Sequence, residues 1–171
     1  MYKLKPDEKL TPVMVYTDAA VFNGTVVTKK ANRVNTWLRT EGAPTFLRLL
    51  NAQMIRPDNP DRIIKFDEQF IPVASIIGFH VGQGIENEVD YDEHEENRMM
   101  EHVKVVLGSF LVEGKIRIST QTDLNSSIEQ YRIAWSSIYH ATISNFYLTT
   151  LNIQTELMLV RHEGVSFGII G

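Results

Sequence analysis

Five histidines, a dense acidic run and one basic cluster are the side chains of this 171-residue sequence whose types could do chemistry. His94 sits inside Asp92-Glu93-His94-Glu95-Glu96, where carboxylates and an imidazole could hold a hard cation loosely. Seven of the eleven residues 86–96 are acidic, none is basic, and no glycine-centred calcium loop is present. Such a run repels itself and reads as a solvated linker, with His102 at its edge. His80 follows a predicted strand, His162 lies in an Arg-His-Glu-Gly turn, and His140 stands among apolar strand neighbours. No paired-histidine spacing links them, so no metal site is expected. Cysteine is absent, which removes a thiol nucleophile and cysteine-ligated zinc. Ser136, Ser137 and His140 are close in sequence, but on a strand Ser136 and His140 stand roughly 13 Å apart. No Gly-x-Ser-x-Gly elbow occurs, and Gly78, Gly82 and Gly84 match neither a dinucleotide fingerprint nor a phosphate loop. No catalytic set and no cofactor are expected.

The basic cluster is Lys29, Lys30 and Arg33, with Arg39 one or two turns on. Trp37 could offer a face for base stacking beside them. It also fits the buried stripe of a short helix, and that bland reading is preferred.

These residues must be positioned by strands. The segments 13–17 and 103–107 alternate apolar and polar with period two, as half-buried strands do. Asn23-Gly24 and Glu113-Gly114 follow apolar runs and read as hairpin turns, with a bulge or bend inside a long strand as the alternative. Val34, Trp37 and Leu38 stand at i, i+3 and i+4 of a short helix, and Leu124 with Ile128 repeats two of those positions. Asn32 is the expected cap of the first helix and Thr122 of the second. Gly42 and Pro44 are expected to end the first. Two strands should close each unit.

The parallel between 21–50 and 111–140 is one part of a longer repeat. At an offset of 90, Val13, Val15 and Gly24 meet Val103, Val105 and Gly114. At 89, Phe46, Leu49 and Ala52 meet Trp135, Ile138 and Ala141, and at 88 Phe79 meets Phe167. Self-similarity of this kind takes precedence over local motifs. It predicts an all-β or β-rich protein built as a tandem duplication of a small barrel-like unit, each with one short helix. The expected divisions are an N-terminal arm (1–12), a first unit (13–81), an acidic linker (82–102) and a second unit (103–171). The end of the linker, Asn97 to His102, is expected to form a helical turn.

Charge follows these divisions: net +3 over 1–85, −7 over 86–102 and 0 over 103–171. No apolar stretch approaches the ~20 residues that span a bilayer, and no apolar run follows the charged start. A cytoplasmic location without membrane contact is the expectation.

The first unit resembles an uncharacterised bacterial domain family, through Gly24, Arg33, Trp37, Leu38, Phe46, Leu49, Ala52 and Ile76. Thr36 and Arg39 depart from that pattern, and the second unit follows it poorly. The family implies no activity. The stretch "IPVASIIGF" is also similar to the closing strand of Sm-like small barrels, which often oligomerise through strand edges and bind RNA.

The leading expectation is therefore a non-enzymatic interaction or assembly module, with a protein partner or self-association through strand edges and a possible homo-oligomer. The alternatives are an Sm-like nucleic-acid binder using Lys29, Lys30, Arg33 and Arg39, and an enzyme of unknown class with a site between the units. Four clustered cations support only weak nonspecific binding, of the order of ~10⁻⁴–10⁻⁶ M at physiological salt. Fluorescence anisotropy with single-stranded RNA measures it. Submicromolar binding lost on Lys29→Glu with Lys30→Glu would favour the nucleic-acid reading.

Overall fold

The structure, a computed structural model, describes residues 2–40, 42–82, 91–92, 94–130 and 134–169. The first half runs β1 (Glu8–Tyr16), β2 (Val21–Lys29), α1 (Val34–Leu38), β3 (Phe46–Arg56), β4 (Asn59–Pro72), a 3-10 turn (Val73–Ser75) and β5 (Gly78–Val81). The second runs β6 (Arg98–Leu107), β7 (Phe110–Ser119), α2 (Leu124–Gln130), β8 (Trp135–Asn145), β9 (Asn152–Arg161) and β10 (Val165–Ile169). All strands join one antiparallel sheet in the order β10-β6-β7-β8-β9-β5-β1-β2-β3-β4. The protein is β-rich, as its period-two patterning predicts.

Each half has the same internal strand order. The short fifth strand lies beside the first, followed by the second, third and fourth. One face of each half is buried around its own core. Val13, Val15, Val26, Leu47, Leu49 and Phe79 are central to the first, and Val103, Val105, Val112, Ile116, Ile138 and Ile143 to the second. The alternation reaches its clearest form in β7, where Phe110, Val112, Ile116 and Ile118 turn inward and the residues between them do not.

The two glycines at offset 90 make no hairpin turn. Gly24 lies inside β2 and Gly114 inside β7, and at each the ladder slips. Gly24 faces two residues of β3, Asn51 and Ala52; Gly114 faces His140 and Ala141 of β8. The extra residue of each bulge, Asn51 or His140, has a left-handed φ of 49°. Glycine is needed here for space. A Cβ on Gly114 would lie 2.6 Å from Ile138 Cγ2 and 2.9 Å from the Tyr139 carbonyl oxygen. The chain reverses instead at Thr17–Ala20 and at Gly108-Ser109.

Other local expectations shift for equally local reasons. Arg33, not Asn32, holds the N-cap position of α1, and no side chain caps that helix. Asp123 caps α2 in place of Thr122: its Oδ1 accepts from the Ser126 backbone N–H at 2.7 Å. Those hydrogen bonds hold its carboxyl below the usual range. Thr122 donates its hydroxyl to the Ser119 carbonyl or bonds the Ser127 hydroxyl. The first helix ends at Leu38 with Arg39 as its C-cap, so Gly42 lies past the position proposed for it. Residues 8–12, assigned to an arm, pair with β2, and residues 98–102 form strand β6 rather than a helical turn. Residues 83–90 and Glu93 of the acidic run lie outside the described residues; His94, Glu95 and Glu96 are exposed.

The bulge geometry predicts unequal costs for alanine. Gly114→Ala must displace a backbone carbonyl and is expected to lose about 1–3 kcal/mol. Gly24→Ala, with nearest atoms at 3.2–3.3 Å, should lose less. Urea unfolding at constant m-value gives both numbers.

Candidate functional site: the joint and the open edges

The four cations singled out in the sequence differ in exposure and in partners. Lys29 and Lys30 are exposed at the end of β2, and Arg33 is exposed before α1. Arg39 is half-buried and turns toward the other half, donating from Nη1 to Ser137 Oγ at 3.2 Å. Trp37 packs its ring against the first core, which is the reading the helical stripe favoured.

What joins the halves is strand pairing. Gly78, Phe79 and His80 of β5 stand opposite Val160, Leu159 and Met158 of β9. The Arg161 N–H donates to the Ile77 carbonyl and the Ile77 N–H to the Tyr16 carbonyl, both at 2.9 Å. Arg161 also donates from Nη2 to the Val73 carbonyl at 2.8 Å and lies 4.7 Å over the Trp135 ring. Two side chains of the second half, Trp135 and Leu159, are members of the first core. Tyr16, Val21 and Ile77 of the first half are members of the second. The halves are therefore interlocked by side chains as well as by main chain.

A buried polar pair lies at this joint. The Tyr16 hydroxyl and His80 Nε2 are 3.1 Å apart, and His80 Nδ1 is 3.0 Å from the Val81 carbonyl. A carbonyl only accepts, so Nδ1 carries the proton and Nε2 accepts from Tyr16. Burial holds the His80 ring below its ordinary pKa of 6.5, partly offset by the Val81 bond, and pushes the Tyr16 phenol up. Phe110 packs edge-on to Tyr16 at 5.0 Å.

Ser136 finds a histidine, but not the one near it in sequence. Its hydroxyl lies 2.6 Å from His162 Nε2, across the β8–β9 pair. His140 instead bonds Glu156 Oε2 at 2.8 Å on the exposed surface. His162 packs edge-on against Phe167, and burial lowers its pKa. Among the described residues no carboxylate bonds the His162 ring, and Ser136 is buried. Among the described residues the pair has no third group of the kind that orients a base in nucleophilic catalysis. Arg117, nearby, is held by the linker: it pairs with Glu95 at 2.9 Å, donates to the Asp92 carbonyl and lies over Tyr91. Among the described residues no group of three metal-binding side chains converges, and no helix is long and apolar enough to cross a membrane.

The other places where chemistry is unfinished are the two ends of the sheet. Among the described residues β4 and β10 each pair on one side only. Ile63 and Phe70 of β4 and Phe46 of the neighbouring β3 are exposed, and so is Ile169 on β10. An unpaired strand edge presents a row of main-chain donors and acceptors. β4 is shielded in part by Lys65, Asp67 and Glu68, and by Pro60 and Pro72 near its two ends. The sequence patterning locates these strands but not their places at the ends of the sheet, which depend on the β5–β9 pairing.

Compared with known proteins, the chain matches no family model, no curated protein and no solved structure.

The His80 environment sets a pH dependence. Because its folded pKa is depressed, its contribution is complete above the unfolded value of 6.5. It is lost as pH falls below that value toward the folded one, where the unfolded state takes up the proton first. His162 acts in the same direction. Chemical unfolding at about pH 7 and about pH 5 should show a larger loss in the wild type than in His80→Gln. Equal losses would show that His80 titrates normally.

Proposed function

We propose that this protein is a non-enzymatic assembly module that joins polypeptides by strand addition at the ends of its sheet. The observation that carries the reading is the joint itself. Two five-stranded halves hold together by pairing a fourth strand, β9, with a fifth strand, β5, and among the described residues the sheet ends on a fourth strand, β4, and a fifth strand, β10, each with one open edge. Main-chain hydrogen bonds would supply affinity, and exposed apolar side chains at the edge would select the partner. The repeated element order, the slipped ladder at Gly24 and Gly114 and the left-handed bulge residues support an internal duplication of one unit. The short strand that follows the 3-10 turn supports the likeness to Sm-like small barrels. A soluble cytoplasmic setting suits the cysteine-free composition.

The reading makes a hydrogen-exchange prediction. In any complex of the protein, amides of residues 63–71 and 165–169 become protected. Lys at Ile63 and Phe70 (Ile63→Lys with Phe70→Lys) removes both the complex and the protection. Complexes that survive this double substitution, with both edges exchanging freely, would overturn the reading.

A further inference from the structure

We infer that the occupant of the β4 edge is a second copy of this chain, which adds its β10 there in the register that β5 uses on β9. This rests on the reading of the edges as assembly surfaces and adds the identity of the partner. The internal joint is the template. Strand register equates Phe46 with Trp135, since they stand opposite Pro72 and Arg161, and Phe70 with Leu159, since they stand opposite Arg48 and Ser137. Trp135 and Leu159 are the two side chains with which the second half completes the first core, and they are 6% and 1% exposed. Phe46 and Phe70, their counterparts, are 51% and 54% exposed. The same plug is thus present twice, seated once and unseated once.

A reciprocal contribution is present twice as well. Tyr16, Val21 and Ile77, which the first half contributes to the second core, are buried. By register their counterparts are Val106, Leu111 and Val165, each half-buried, and Val165 packs against the second core of its own chain. Placing β10 of one copy on β4 of the next sets Phe167 opposite Phe70, Ser166 opposite Ile71 and Gly168 opposite Gln69. Phe46 and Phe70 then lie on the face of Phe167 and Val105 and cover the second core, as Trp135 and Leu159 cover the first, while Val106 and Leu111 turn to the opposite face, toward the first core of the copy that supplies β4. The contact is heterologous, because one end of the molecule meets the other, so it adds copies in series and closes into a ring where the rotation allows.

The two joints differ in strength. Gln69 stands where the internal joint has Met158, Thr17 where it has Leu107, and Pro72, without an N–H, where it has Arg161. Val106 and Gly168 replace the Tyr16–His80 pair. The joint between copies is therefore weaker than the joint within a chain and dissociates on dilution.

The absence of cysteine makes the test direct. One preparation carries Gln69→Cys and another Gly168→Cys; a Cβ at 168 meets nothing closer than the Lys104 carbonyl oxygen at 3.8 Å. On mixing and mild oxidation, the expected product is the mixed disulfide, well ahead of either homodisulfide. Sedimentation velocity of the unmodified chain should show species above the 19.5 kDa monomer. Phe46→Asp and Phe70→Asp, both at exposed positions, should each weaken association at least about tenfold, with circular dichroism unchanged. Homodisulfides forming as fast as the mixed one would overturn the head-to-tail register. A chain that stays monomeric at every concentration, yet has its edges protected by a different protein, would overturn the second copy as occupant and leave the assembly reading standing. Loss of edge protection in every complex would remove both.

Discussion

The pairing of β5 with β9 is the contact on which the rest of the molecule depends. Three residues of a four-residue strand align with three of a ten-residue one. Through them ten strands become one sheet, and each half receives apolar side chains it does not itself encode. Trp135 and Leu159 bring to the first core a burial of roughly 1.5–3 kcal/mol for a side chain such as leucine, and more area for tryptophan. Without β9 alongside, Phe79 would lie at the margin of an incomplete core. The main-chain bonds fix the register, and the register decides which side chains reach across.

The halves repeat backbone devices more faithfully than side chains. Both slip the ladder opposite a glycine, both place the extra residue at a left-handed φ, and both start a short helix at positions 90 apart. The side chains diverge where the environments differ. His80 and Tyr16 share a hydrogen bond inside the joint, whereas Gly168 and Val106 occupy the matching places at the open edge. Asn51 suits a left-handed position well; His140 holds the same conformation with its ring bound to Glu156 outside.

The legible part of the fold was its periodicity. Val13, Val15, Val103 and Val105 announce buried strand faces, and Val34, Trp37 and Leu38 announce a helix with an apolar side. Glycine spacing picked out two matching register shifts, but Asn23-Gly24 misled because a glycine chosen for close approach looks the same in one dimension as a glycine chosen for a turn. The caps moved by one residue, to Arg33 and Asp123. The basic cluster was legible as composition, whereas the bond of Arg39 to Ser137 of the other half was not. The joint was the least visible feature. Phe79 and Leu159 are 80 positions apart, and nothing local to either indicates that they meet. The matching of Ser136 with His162 across neighbouring strands was hidden for the same reason.

The lateness of β9 in the chain has a consequence for biosynthesis. A ribosome releases chain from the N-terminus, so β1 to β5 emerge well before the residues that finish their core. During that interval the first half has to wait with an open side, and contacts of such sequence separation form slowly. The exposed flank is the β5 edge, the same surface that β9 later covers, and during synthesis any other nascent or finished copy could present its β4 there. The acidic run at 86–96 emerges directly after β5 and carries seven carboxylates and no basic residue. Neighbouring nascent chains on one polysome carry the same charge, and their mutual repulsion disfavours premature exchange of strands until β9 arrives.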